Sequence, residues 1–142
     1  MKYFVDTNIF LELAFEDTRW KECRDFLSRI EEGKISASTS DFALYGSILQ
    51  TESKTRSGNK VHTFIKSLLT LQGLSILRPS EEEILKATRI MASHKLDFDD
   101  SLVVSSMLAN RLTSLVSFDR HFDRVKEIER LEPANVLTSP KR

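Results

Sequence analysis

Apolar residues along the chain fall into two alternating rhythms: short unbroken runs, and longer stretches spaced by three and four. The first run, residues 2–6, carries Tyr3, Phe4 and Val5 without interruption, as a central parallel strand buried on both faces would. Ile9, Phe10, Leu13 and Ala14 follow a helical period, with Thr7 or Asn8 as the cap. A second helix is expected over residues 19–32, where Trp20, Cys23, Phe26, Leu27 and Ile30 share a face and Gly33 stops the run. Ile35 to Ser38 reads as a short strand, and Thr39-Ser40-Asp41 caps a helix carrying Phe42, Leu44, Tyr45, Ile48 and Leu49. The polar stretch 53–59 predicts a loop.

The alternation then repeats. Val61, Phe64, Ile65, Leu68, Leu69 and Leu71 predict a helix ending at Gly73, and Leu74 to Leu77 a third strand. Pro79-Ser80 precedes a helix with Ile84, Leu85, Ala87, Ile90 and Met91, whose first turn holds Glu81, Glu82 and Glu83 as a complement to the helix dipole. Another helix starts among Asp97, Asp99 and Asp100, and Leu115-Val116-Ser117 forms a strand that closes in Phe118-Asp119. A helical turn over 120–129 and an edge strand at Leu131 or Val136-Leu137 complete the pattern, with residues 139–142 as a frayed tail. Strands alternating with helices predict a three-layer α/β/α sandwich around a mainly parallel sheet of four or five strands, spanning residues 1–138 as one domain.

Composition narrows the function classes. The 142 residues carry 21 basic and 21 acidic side chains, so no basic surplus advertises nucleic-acid binding, although local patches outweigh totals. One cysteine, Cys23, offers neither a disulfide nor a zinc cluster and fits a reducing, cytoplasmic setting. No apolar run is long enough to span a bilayer, and no GxGxxG, GxxxxGK[ST] or GxSxG pattern is present. His62, His94 and His121 lack the spacing of a metal motif and are expected at the surface.

The candidate chemistry is acidic. Asp6 and Asp119 close two strands, Asp100 opens a helix, and Asp41 opens another. In an open α/β sheet, ligands bind outside the carboxyl ends of the strands, which is where such acids collect. Clustered carboxylates repel unless a cation intervenes, and oxygen ligands without cysteine or histidine suit Mg2+ or Mn2+. Such a site fits metal-assisted phosphodiester hydrolysis. Each acid also has a structural use: Asp6 as a helix cap, Asp41 as a first-turn acid, one of Asp97, Asp99 and Asp100 as a cap, Asp119 and Asp123 as partners of nearby arginines. Haloacid-dehalogenase and receiver-domain chemistry fit poorly, because residue 8 is Asn and the third strand ends in Leu77-Arg78-Pro79.

Three blocks, Val5-Asp6-Thr7-Asn8, Leu96-Asp97-Phe98-Asp99-Asp100-Ser101-Leu102 and Leu115-Val116-Ser117-Phe118-Asp119-Arg120-His121-Phe122, make the chain resemble the PIN-domain family, particularly small VapC-type toxins. The resemblance implies a metal-dependent endoribonuclease with Asp6, Asp100 and Asp119 holding Mg2+ or Mn2+, and Thr7, Asn8 and Ser117 ordering them by hydrogen bonds. It also implies RNA as substrate and, for a toxin, an antitoxin protein that blocks the groove. A homodimer is the expected assembly. The family's usual helix glutamate aligns here with Leu44, leaving Asp41, one turn earlier, as the substitute acid; Asp97, Asp99 and Asp123 are additional acids within range. Without the glutamate, the alternative is a non-catalytic module of the same fold that binds RNA or protein.

Overall fold

The computed structural model describes residues 2–138, so the expected tail at 139–142 lies outside the described residues. Five strands, β1 (Lys2–Val5), β2 (Ser36–Ser40), β3 (Leu74–Leu77), β4 (Ser114–Val116) and β5 (Glu129–Leu131), form one sheet in the order β3-β2-β1-β4-β5. Every pairing is parallel, with Phe4 opposite Ser38 on one side and Leu115 on the other. From β1 the chain builds outward to β3, then returns to build β4 and β5 on the opposite flank. That reversal leaves a crevice between the carboxyl ends of β1 and β4.

Alternation along the central strands sends side chains into two cores. Val5 and Val116 face a core shared with α1 (Thr7–Ala14), α2 (Trp20–Glu31) and α4 (Gly58–Leu69), where Ile9, Phe26, Ile30 and Phe64 are buried. Phe4 and Leu115 face the other core, built with α6 (Phe98–Ala109), where Val104, Met107 and Phe122 are buried. This is why the two strands read as unbroken apolar runs. Helix α6 is buried from Ser101 through Met107, lying between the sheet and α5 (Glu81–His94). Cys23 packs in the first core, and burial pushes its thiol up to about 12, so it is inert packing material.

Several boundaries differ from the sequence pattern. The polar stretch 53–59 is mostly helical: α3 (Asp41–Thr55) runs to Thr55 and α4 starts at Gly58, leaving Arg56 in a left-handed conformation and Ser57 as the α4 cap. Exposed Ser, Lys and Thr are tolerated in a solvated helix end, so their polarity was not a break. Val136 and Leu137 lie in α7 (Pro133–Thr138) and not in a strand; Leu131 lies in the edge strand β5. The turn after β4 is a 3₁₀ segment limited to Arg120–Arg124. Glu83 closes a capping box with Ser80, in keeping with a structural role for the α5 glutamates.

Gly73 marks a tight backbone junction. Its N–H donates to the Ile30 carbonyl at 2.9 Å, and its own carbonyl accepts from Ala37 N–H at 2.9 Å. A Cβ there would press on the backbone oxygens of Ile35 and Ile30. Gly73→Ala is therefore expected to cost about 2 kcal/mol by forcing the start of β3 away from β2, measurable by urea denaturation.

Candidate metal centre

The crevice between β1 and β4 is where the strand-end acids meet. Asp6 leaves β1 held by the Val116 carbonyl, which accepts its backbone N–H at 3.0 Å. The Asp6 carboxylate caps α1, accepting from Thr7 N–H at 2.8 Å, so the cap is Asp6 and not Thr7 or Asn8. Its other oxygen accepts from the Ser117 hydroxyl at 2.6 Å and from Asn8 Nδ2 at 3.3 Å. The same Ser117 oxygen accepts from the Asp119 backbone N–H at 3.0 Å and from Asn8 Nδ2 at 3.2 Å. Asn8 Oδ1 accepts from Phe118 N–H at 3.4 Å. One buried hydroxyl thus ties together Asp6, Asn8 and Asp119, which stand 113 positions apart at their widest.

Asp100 enters from the first turn of α6. Asp97 caps that helix, accepting from Asp100 N–H at 3.2 Å, and points to solvent. The pocket is walled by Asp6, Thr7, Asn8, Leu11, Asp99, Asp100 and Asp119, with Phe42, Ala43, Gly46 and Gln50 closing it from α3. Burial raises the Asp6 carboxyl above its ordinary value against the hydrogen bonds that favour its ionised form, and Asp119 adds repulsion. Asp100 is pushed up to about 7, first by burial and then by the charges of Asp97, Asp119, Asp6 and Asp99.

The donor set fits a divalent ion. One ligand atom each from Asp100, Asp119 and His121 lie within 4.8 Å of one another, a spacing that ligands around one ion can adopt. His121 is exposed, as its sequence context suggests, but its Nδ1 lies 3.1 Å from an Asp119 oxygen that also accepts its backbone N–H at 2.9 Å. An Asp-x-His step across a 3₁₀ turn resembles none of the usual metal spacings, so sequence pattern alone does not single out His121.

Leu44, Asp41 and Asp123 are not among the residues that line the pocket. Leu44 packs with Ile48 against the first core and does not line the pocket; α3 offers Phe42, Ala43, Gly46 and Gln50 instead, with Phe42 set edge-on to Phe98 at 5.9 Å between ring centres. Asp41 is the first residue of α3 and does not line the pocket among the described residues. Asp123 is taken up by Arg130 at 2.9 Å, and Arg130 also donates to the Ser117 carbonyl at 3.0 Å and to Glu132 at 3.0 Å. Of the additional acids, Asp99 alone lines the pocket.

The sequence matches the PIN domain family over residues 3–128. No curated protein matches it closely enough to count as a relative. Among solved structures, it is similar to VapBC2 of Rickettsia felis bound to a promoter DNA fragment, with TM-score 0.73, 16% identity, and 93% and 98% of the two chains covered. It is also similar to VapC20 of Mycobacterium tuberculosis, a toxin that cleaves the sarcin–ricin loop, with TM-score 0.73, 15% identity, and 87% and 95% covered. A toxin–antitoxin complex from Klebsiella pneumoniae matches with TM-score 0.66, 17% identity, and 92% and 97% covered. At these identities the likeness is one of fold.

Proposed function

The chain belongs to the PIN domain family, and from that membership we propose that it is a metal-dependent endoribonuclease acting as the toxin of a toxin–antitoxin pair. The observation that carries the proposal is the convergence of Asp6, Asp100 and Asp119 in one crevice, two of them joined through the Ser117 hydroxyl. In this reading, those three acids hold Mg2+ or Mn2+, while Thr7, Asn8 and Ser117 fix their orientation. A bound ion would supply charge shielding at the scissile phosphate and a water of lowered pKa. Asp99 adds negative charge at the rim, so the pocket repels an RNA backbone until a cation is present.

The likeness to a toxin that cleaves the sarcin–ricin loop supports RNA as the substrate class. Past Leu11 and Gln50 the pocket continues into a second depression lined by Lys54, whose ammonium stands 4.0 Å above the Phe15 ring. An ammonium at the pocket's edge suits a backbone phosphate. Arg56 and Lys60 line separate depressions.

Complexes of similar toxins with antitoxins support an antitoxin partner for this chain. Tyr45 and Leu49, 62% and 63% exposed on α3, are the apolar surface a second copy would cover, and sedimentation at micromolar concentration is expected to report a dimer. The proposal takes residues 1–138 as one functional domain in the cytoplasm; no described helix is long and apolar enough to cross a membrane.

A second reading is favoured by Phe42. It lines the pocket from α3, which offers no acid there, and an aromatic wall suits a non-catalytic module that binds RNA or protein. Adding a carboxylate to the α3 wall tests this. Phe42 is 41% exposed, so Phe42→Glu is tolerable to the fold and is expected to tighten Mn2+ binding about tenfold, read by calorimetry. The function itself is tested by incubating the purified protein with labelled mixed-sequence RNA and Mn2+ or Mg2+. Cleavage stopped by EDTA and by Asp119→Asn supports the nuclease; a folded protein that binds the RNA without cutting it supports the module.

A further inference from the structure

We propose that His121 supplies a nitrogen ligand beside Asp100 and Asp119 and thereby makes the centre prefer Mn2+ to Mg2+. The inference rests on the reading of the crevice as a metal centre and deepens it. The first support is geometric: a ring nitrogen of His121 and an oxygen from each aspartate lie within 4.8 Å of one another. That spacing is close to what ligands of one ion adopt, so a small turn of the exposed His121 side chain would let the three share one.

The second support is the way His121 is mounted. The 3₁₀ turn Arg120–Arg124 begins at Asp119, and the His121 backbone N–H donates to that carboxylate at 2.9 Å. That bond fixes the His121 main chain beside Asp119, while the imidazole, 63% exposed, can rotate toward an ion without disturbing the core. The other histidines are placed differently. His94 Nδ1 pairs with the Ser93 hydroxyl at 2.8 Å, and His62 lies exposed on α4.

The third support is ligand chemistry. Mg2+ demands hard oxygen donors in strict octahedral geometry and sheds water reluctantly. Imidazole is a ligand of transition ions rather than of Mg2+, and Mn2+, at home among carboxylates, is the transition ion closest to Mg2+ in its oxygen preference. A centre of carboxylates alone would discriminate little between the two ions; the added nitrogen shifts the balance.

The test uses the full chain and the free metals. Mn2+ affinity is read by electron paramagnetic resonance, with Mg2+ as competitor, for wild type, His121→Ala and Asp100→Asn. The Mn2+ protein is also prepared with 15N-histidine, and nitrogen coupling to the ion is read by electron spin-echo modulation. Wild type is expected to hold Mn2+ about tenfold tighter than Mg2+, and to show histidine coupling. His121→Ala is expected to lose about tenfold in Mn2+ affinity, to keep Mg2+ affinity within about twofold, and to lose the coupling. Equal loss for both ions, no loss for either, or no histidine coupling in wild type would assign His121 to orienting Asp119 and overturn the proposal. If wild type binds neither ion, or Asp100→Asn leaves both affinities intact, the underlying reading of the crevice fails, and the role of His121 falls with it.

Discussion

Asp100→Asn is expected to make the metal-free protein harder to unfold while abolishing its binding of Mn2+. The Asp100 carboxyl stands at about 7 in the fold against an ordinary 3.8, because burial and four neighbouring aspartates oppose its ionisation. A folded state that binds a proton more tightly than the unfolded one loses stability as that proton leaves. The penalty is absent below pH 3.8, grows as pH rises, and is complete above about 7. Asparagine removes the charge and keeps the shape. Allowing for solvent screening at the pocket mouth, the gain at pH 8 is about 1–2 kcal/mol, or roughly 5 °C in Tm. At pH 4 the two proteins should melt together. Adding Mn2+ reverses the order, since only wild type is stabilised by a bound ion. Melting curves at two pH values, with and without Mn2+, read the whole pattern. An Asp100→Asn protein less stable than wild type at pH 8 without metal would show that the carboxylate already has a stabilising partner.

The second large effect belongs to Ser117. Its hydroxyl donates to Asp6 at 2.6 Å and accepts from Asp119 N–H at 3.0 Å, so Ser117→Ala removes the atom that sets the distance between two acids from different strands. The Asp119 N–H loses a partner and the Asp6 oxygen keeps only its long contact to Asn8, at an expected cost of about 1–3 kcal/mol. Metal affinity is expected to fall by about 10–100-fold, as when groups that orient ligands are removed elsewhere. Ser75→Ala is the matched control: its hydroxyl bonds Ser38 at 2.8 Å between β2 and β3, away from the acids. It should leave Mn2+ affinity unchanged. Calorimetric titration of the three proteins separates a local effect on the centre from a general loss of serine hydrogen bonds.

The sequence carries much of this arrangement. Unbroken apolar runs at Tyr3–Val5 and Leu115–Val116 pointed to central strands, and both strands send alternate residues into opposite cores. Asp6 and Asp119 could be recognised as strand-end acids, but their meeting depends on β1 and β4 being neighbours. That adjacency follows from strand order, a tertiary property absent from local pattern. Phe42 shows a different limit. Residues 42–45 of α3 are all apolar, so periodicity does not say which of them turns toward the acids and which toward the core. Packing against α1 decides it, placing Leu44 and Ile48 inward and Phe42 over the pocket. Val136-Leu137 was ambiguous because two apolar residues fit a strand and a short helix equally well, and Pro133 at the helix start settles the matter.

Hydrolysis of RNA in the aspartate crevice, with water as the nucleophile, leaves its signature in the products. The most direct measurement is the chemistry of the product ends, taken through a time course of cleavage with Mn2+ by wild type and Asp100→Asn in parallel. Attack by water leaves a linear phosphate, tolerates a 2′-O-methyl group at the cut, and is expected to vanish in the variant. A 2′,3′-cyclic phosphate at any time point, or equal cleavage by Asp100→Asn, would rule out this hydrolysis, because the cutting would then come from a 2′-hydroxyl attack or from chemistry outside this crevice.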